Sequence, residues 1–259
     1  MARRNRLDAE LVRRGLARSR EQAAALVAAG RVEVRGAPAA KPAALVDPAD
    51  PVRVRDHGPD YVSRGGHKLA GALGAFTGLA VEGRRCLDAG ASTGGFTDVL
   101  LRAGAAEVVA VDVGYGQIAW SLRTDSRVRL YERTNVRSMT PELIGGPAEL
   151  TVADLSFISL RLVLPQLTAC TTTDLVPMVK PQFEVGRDRV GSGGVVREPE
   201  LRAEAVLRVA DTAATLGFGT AGVVRSQLPG PAGNVEFFLW LRRDAGPVDP
   251  DAVREVVGE

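Results

Sequence analysis

Residues 86–98 read Cys86-Leu87-Asp88-Ala89-Gly90-Ala91-Ser92-Thr93-Gly94-Gly95-Phe96-Thr97-Asp98. A short apolar run enters a turn of small residues, and a helix expected over Gly95–Arg102 leaves it. Glycines at such a strand–helix turn let the backbone come close to a ligand, and the first N–H groups of the helix are free to bind it. A nucleotide-like cofactor is therefore expected. The dinucleotide fingerprint is Gly-x-Gly-x-x-Gly, whereas here Gly90 is followed by Gly94 and Gly95, with Ala91 and Ser92 after the first glycine. That spacing argues against a nicotinamide cofactor. The next apolar run ends Val-Val-Ala-Val-Asp112, and an acid at that strand end can accept hydrogen bonds from ribose hydroxyls.

Outward from this turn, short apolar runs alternate with helical stretches. The expected strands are Cys86–Ala89, Val108–Val111, Val128–Tyr131, Leu150–Ala153, Leu175–Val179, Thr220–Val224 and Val235–Leu241. Helices are expected at Gly95–Arg102, Leu160–Ala169 and Glu198–Leu216. The alternation predicts an open, mainly parallel, Rossmann-like α/β sheet with its ligand at the carboxyl ends of the first strands. Across 259 residues the longest stretch without a charge is 13 residues, at Leu69–Val81 and again at Thr212–Val224. A bilayer span needs about 20, so no membrane association is expected. No apolar segment follows Arg3, Arg4 and Arg6, so a secretory signal is not expected and a cytoplasmic location is. Cys86, Cys170, His57 and His67 offer no metal-ligand spacing, and no metal is expected.

Charge divides the chain. Residues 1–68 carry 14 Lys+Arg against 8 Asp+Glu, and the remainder 19 against 23, so a basic head precedes a mildly acidic body. Such a head suits a polyanion, nucleic acid first. Within it, Leu7, Leu11 and Val12 share a helical face that Gly15 ends. Ser19 then opens a Ser-x-x-Gln capping box, and the helix it starts stops at Gly30. Arg31–Arg35 and Pro51–Arg55 read as strands, which makes a small α+β unit. Asp56-His57-Gly58-Pro59-Asp60 reads as a connection. Only three of the 33 cations are lysine: Lys41, Lys68 and Lys180. Arginine cannot give up a proton near neutrality, so a lysine kept in this background is a candidate for lysine chemistry.

The run Arg6-Leu7-Asp8 … Gly15 … Ser19-Arg20 … Ala23 … Gly30-Arg31-Val32-Glu33-Val34 resembles the RNA-binding module of ribosomal protein S-four. The resemblance implies that Arg4, Arg6, Arg18 and Arg20 meet phosphates, which gives affinity and orientation with little base information. Over residues 4–241 the chain resembles the TlyA family of ribosomal RNA 2′-O-methyltransferases, whose body is FtsJ-like and whose methyl donor is S-adenosylmethionine. The resemblance rests on Tyr61–Leu69, Asp88–Asp98, Ala153–Leu160, Val179–Glu184 and Gly233–Glu236. It implies a Lys-Asp-Lys-Glu tetrad at Lys68, Asp154, Lys180 and Glu236. It further implies a cofactor site of Gly90, Ser92, Gly94, Gly95, Asp112 and Asn135, although Asn135 equally suits a turn. Arg64 and His67 are candidate RNA contacts, His67 being as well suited to a structural role. Phe96, Phe157 and Phe183 fit either core or cofactor pocket, and the Gly-rich stretch 186–194 with Arg187 and Arg189 suggests a loop beside the site. The organisation expected is an RNA-binding domain over 1–60, a linker over 61–67, a class I methyltransferase domain over 68–245 and a tail over 246–259.

A ribose hydroxyl is a poor nucleophile at neutral pH, so its methylation needs a general base or a setting that favours the alkoxide. The expected division of labour has Lys180 taking the hydroxyl proton, Lys68 holding the nucleotide and favouring neutral amine at Lys180, and Asp154 and Glu236 orienting the amines. In the alternative, Lys180 stays charged and stabilises the developing alkoxide, with proximity supplying most of the acceleration. The expected substrate is a cytidine of ribosomal RNA in the large subunit, with the small subunit a further candidate, met by a monomer. Rival readings are an oxidoreductase, a non-enzymatic ribosome-binding assembly factor and, least favoured, a haemolysin.

Overall fold

The computed structural model describes residues 4–28, 30–54 and 61–258. The expected connection at 56–60, with His57, lies outside the described residues. The chain forms two compact units, 1–60 and 61–259.

In the first unit, strand β1 (Asn5–Arg6) leads into helix α1 (Leu7–Arg13), followed by α2 (Arg20–Ala28), β2 (Val32–Val34), β3 (Ala37–Pro38), β4 (Leu45–Val46) and β5 (Val52–Val54). The sheet order is β3-β2-β5, antiparallel throughout, with β1 paired separately to β4. Both helices end as the glycines predict. Gly15 and Gly30 take φ of 71° and 68°, and Leu16 N and Arg31 N bond back to Leu11 O and Leu26 O in Schellman closures. Ser19 Oγ accepts from Gln22 N at 3.1 Å, but the Gln22 side chain reaches Arg18 N at 2.6 Å, one residue earlier than a standard capping box. Leu7, Leu11, Ala23 and Val32 are fully buried between helices and strands.

The second unit runs α3 (Arg64–Ala75), β6 (Arg85–Ala89), α4 (Gly95–Arg102), β7 (Glu107–Val111), α5 (Trp120–Arg123), β8 (Val128–Tyr131), β9 (Ala148–Ala153), α6 (Leu164–Ala169), β10 (Thr171–Val179), α7 (Pro181–Glu184), α8 (Pro199–Thr215), β11 (Gly219–Arg225), β12 (Phe237–Arg242) and α9 (Pro250–Gly258). Its seven strands lie in the order β11-β12-β10-β9-β6-β7-β8. The five from β10 to β8 are parallel, and β12 runs antiparallel between β10 and β11. Side-chain alternation sorts the core onto two faces. Val108, Ala110, Phe238 and Trp240 pack with Leu69, Phe96 and Leu100 on one side. Val109, Val111, Leu239 and Leu241 pack with Leu164, Val206 and Val209 on the other.

Several expected boundaries differ from those observed. Residues 61–67 are not a free linker: Arg64 starts α3, and Asp98 on α4 accepts a hydrogen bond from Val62 N at 2.9 Å. Nor is 246–259 a plain tail, because α9 buries Val253 and Val257, one helical turn apart, in the core. Strand β12 begins at Phe237 rather than Val235, which leaves Glu236 just before the strand.

Candidate active site

The order reverses at β6, where the chain crosses to β7 on one side and β9 on the other, and ligands of open α/β sheets sit at such a point. A cleft of about 320 Å³ opens there, lined by Gly90, Ser92, Asp154, Lys180, Lys68 and Glu236 among others. The topology explains the gathering. Gly90, Asp154 and Lys180 each follow the carboxyl end of a parallel strand, and Glu236 precedes the one antiparallel strand, so it reaches the same edge.

Glycines let these segments close up. A Cβ on Gly90 would lie 2.4 Å from Asp154 O, so a side chain there would separate the ends of β6 and β9. A Cβ on Gly95 would lie 2.2 Å from Ser63 Oγ and 2.9 Å from Gly66 N, so α3 and α4 meet through backbone. That approach brings Lys68, in the second turn of α3, to the cleft. Gly94, at φ 94°, precedes α4 and faces Leu122, where a Cβ would lie 2.3 Å from Cδ1.

The tetrad forms two ion pairs. Lys68 Nζ donates to Glu236 Oε2 at 2.5 Å, and Lys180 Nζ lies 2.5 Å from Asp154 Oδ1. Both lysines are 8% exposed and Glu236 is 1% exposed. Lys180 Nζ also donates to Ser156 Oγ at 2.9 Å, a partner the sequence reading missed although Ser156 lies two residues after Asp154. The Asp154 contact is an ion pair without hydrogen-bond geometry, so Ser156 takes one of the three N–H donors of an ammonium. Each amine thus has its own carboxylate.

The turn after β6 is held from β7. Gly90 N and Ala91 N both bond to Val111 O, and Ser92 sits in the left-handed region at φ 48°. Asp112 receives Ser92 N at 2.8 Å on Oδ2 and Gly114 N at 2.6 Å on Oδ1. A carboxylate has about four acceptor positions, so two remain for hydroxyls. The Asn135 side chain caps Arg137 N at 2.9 Å; Asn135, Gly94 and Asp112 do not line the cleft, but Gly94 and Asp112 belong to or hold the turn that does. Buried Asp88 accepts from Thr97 Oγ1 at 2.7 Å, and burial pushes its carboxyl up to about 7. Burial likewise pushes the Cys86 thiol up to about 12 and Cys170 up to about 11.

Arg64 lines the cleft, whereas the His67 ring packs edge-on against Tyr61 at 5.1 Å. Phe96 is a core residue 5.9 Å from Phe238 that also borders the cleft. Phe157 is 92% exposed and meets Phe183 at 5.4 Å. In the Gly-rich stretch, Arg189 pairs with Glu204, and Asn234 accepts from Val196 N and donates to Gly194 O. In the first unit, Arg4, Arg6, Arg18 and Arg20 are all exposed. Asp8 gathers two of them, at 2.9 Å from Arg6 and 3.0 Å from Arg20, and the Arg6 guanidinium above all holds its carboxyl well below the ordinary range. Among the described residues no cluster of His, Cys, Asp and Glu suits a metal ion, and no helix is long and apolar enough to cross a membrane.

A parallel sheet with one antiparallel strand inserted next to its edge, a Gly-rich turn after the first strand and an acid after the second define a class I methyltransferase. Residues 61–243 match the FtsJ-like methyltransferases and residues 5–52 match the S4 domain. The chain belongs to the TlyA branch of the FtsJ-like methyltransferase family. It is 64% identical over 245 residues, 93% of this chain and 91% of the relative, to 16S/23S rRNA (cytidine-2′-O)-methyltransferase TlyA of Mycobacterium tuberculosis. It is 35% identical over 181 residues, 70% of each chain, to 23S rRNA (cytidine-2′-O)-methyltransferase TlyA of Campylobacter jejuni. A solved structure of a Streptococcus thermophilus protein described as a hemolysin superposes with a TM-score of 0.77 at 40% identity, covering 100% of this chain and 96% of that one.

Proposed function

We propose that this chain transfers a methyl group from S-adenosylmethionine to the ribose 2′-hydroxyl of a cytidine in ribosomal RNA, with Lys68, Asp154, Lys180 and Glu236 as the machinery. The observation that carries the reading is the pair of buried lysines, each on a carboxylate, facing one cleft beside the Gly-rich turn. The cofactor supplies a sulfonium-bound methyl. The donor set fits it: Gly90, Ser92, Gly94 and Gly95 form a turn of close backbone approach, and Asp112 has acceptor positions left for ribose hydroxyls.

Bound there, the cofactor would supply its methyl to the 2′-oxygen and leave as a neutral thioether. Lys180 takes the hydroxyl proton at Nζ, and Asp154 stabilises the ammonium that results. Ser156 fixes the direction of the amine. Lys68, held by Glu236, binds the nucleotide. A second reading is favoured by the carboxylate 2.5 Å from Lys180, which stabilises an ammonium from the outset: Lys180 then stays charged and steadies the alkoxide. Turnover of Lys180→Arg separates the two, since arginine keeps the charge but cannot act as a base. Loss comparable to Lys180→Ala supports the base, and near-normal turnover overturns it.

The basic S4 unit would anchor the enzyme on its RNA, through Arg4, Arg6, Arg18 and Arg20, with Arg64 touching RNA nearer the cleft. Large-subunit RNA is common to the named M. tuberculosis and C. jejuni relatives, and small-subunit RNA is added by the more similar one. We take both as substrates, approached by a monomer in the cytoplasm.

A further inference from the structure

Lys180 is the N-cap of α7, and four residues on, at the end of that short helix, stands Glu184. It is 4% exposed and does not line the cleft. Its Oε1 accepts from Leu160 N at 2.7 Å and its Oε2 from Ser159 Oγ at 2.6 Å, with Arg161 Nε 3.8 Å away. All three partners belong to the segment that follows β9 and carries Asp154 and Ser156. Between Ala153 and Leu160 that segment has no regular structure. It also contains Phe157 at φ 64°, a left-handed conformation that a bulky residue holds only when its surroundings enforce it. α7 contacts this segment twice, by the Glu184 carboxylate on Ser159 and Leu160 and by the Phe183 ring 5.4 Å from that of Phe157.

We propose that Glu184 is a positioning residue for methyl transfer: by gripping Ser159 and Leu160 from the helix that begins at Lys180, it holds Asp154 and Ser156 against Lys180 Nζ. The inference rests on the reading that Lys180 and Asp154 carry the chemistry. A carboxylate suits the task because it accepts from both donors at once, and charge-assisted bonds of this kind are short and strong. Burial raises the Glu184 pKa, while the bonds from Ser159 and Leu160 oppose that shift. A side chain tied to the reacting groups through the loop it clamps and the helix that carries it, and not through the cleft, would alter the rate and leave cofactor affinity alone.

The test compares Glu184→Ala, Glu184→Gln and Lys180→Ala in the full chain, using intact large ribosomal subunits and S-adenosylmethionine. Circular dichroism checks the fold and calorimetry measures cofactor binding. For Glu184→Ala the expected loss in kcat is on the order of 10–100-fold, with KM and cofactor Kd within about threefold of wild type. Glu184→Gln should recover much of the rate, since an amide can accept from Leu160 N and donate to Ser159 Oγ. If Glu184→Ala fails to fold, Ser159→Ala, which removes one of the two contacts, is read by the same criteria. A kcat unchanged in Glu184→Ala while Lys180→Ala is inactive overturns this inference alone, as does a loss confined to KM or a glutamine as poor as alanine. Full turnover by Lys180→Ala overturns the underlying reading and this inference with it.

Discussion

Glu236→Gln removes the negative charge from a carboxylate that is 1% exposed and 2.5 Å from Lys68 Nζ. The shape is kept, so the change is electrostatic. Lys68, 8% exposed, is left as a buried cation facing an amide. Breaking a buried pair by removing one partner costs about 3–5 kcal/mol, and because Lys68 borders the open cleft the lower part of that range, about 3–4 kcal/mol, applies here. For a unit the size of 61–259, at about 2–4 °C per kcal/mol, the thermal midpoint should fall by roughly 6–16 °C. Adding Lys68→Met removes the stranded charge, so the double variant should regain at least about 1 kcal/mol over Glu236→Gln. Urea unfolding of wild type, both single variants and the double variant gives the cycle directly. A Glu236→Gln variant within about 1 kcal/mol of wild type, or a double variant less stable than Glu236→Gln, would refute the argument that these groups form a mutually dependent buried pair.

Gly95→Ala drives a methyl into Ser63 Oγ and Gly66 N; it should cost about 1–3 kcal/mol in unfolding experiments and, by pushing α3 away, lower turnover more than the stability loss alone explains. Asp88 holds its proton to about 7 in the folded state against 3.8 ordinarily, so folding binds that proton more tightly. Its contribution is therefore most favourable below pH about 4 and is lost as pH rises to about 7, by roughly 4 kcal/mol. Asp88→Asn should flatten that segment of the difference in stability against pH, and parallel wild-type and variant curves would contradict the assignment. Arg20→Ala should weaken binding to ribosomal RNA and reduce the slope of log K against log salt by about 1, read from filter binding at several salt concentrations. An unchanged slope would remove Arg20 from the phosphate contacts.

Most strands were legible because a parallel strand covered on both faces is a continuous apolar run, as at Val108–Val111 and Leu175–Val179. The Gly-rich turn was legible for a different reason, since close backbone approach demands particular residues at Gly90 and Gly95. The insertion of β12 between β10 and β11 was not, because pairing order is a long-range property that no local period encodes. Helix α3 was hidden by Gly65, Gly66, Gly71 and Gly74, poor helix formers that serve close packing, and α9 by a buried stripe of only Val253 and Val257. The tetrad positions came from resemblance to a family, and their pairing came only from coordinates. Nothing in the spacing of Lys68, Asp154, Lys180 and Glu236 says which amine meets which carboxylate, nor that Ser156 joins Lys180 or that Glu184 grips the loop between them.

The most direct test of the central claim is transfer of labelled methyl from S-adenosylmethionine to intact large subunits, intact small subunits, naked ribosomal RNA and transfer RNA, by wild type and Lys180→Ala. The account predicts label on ribosomal RNA at a position that resists base hydrolysis of the neighbouring linkage, with the signal lost in the variant. Measured cofactor binding without label on any RNA would contradict it, and would leave a ribosome-binding role in which the two lysine–carboxylate pairs do no chemistry.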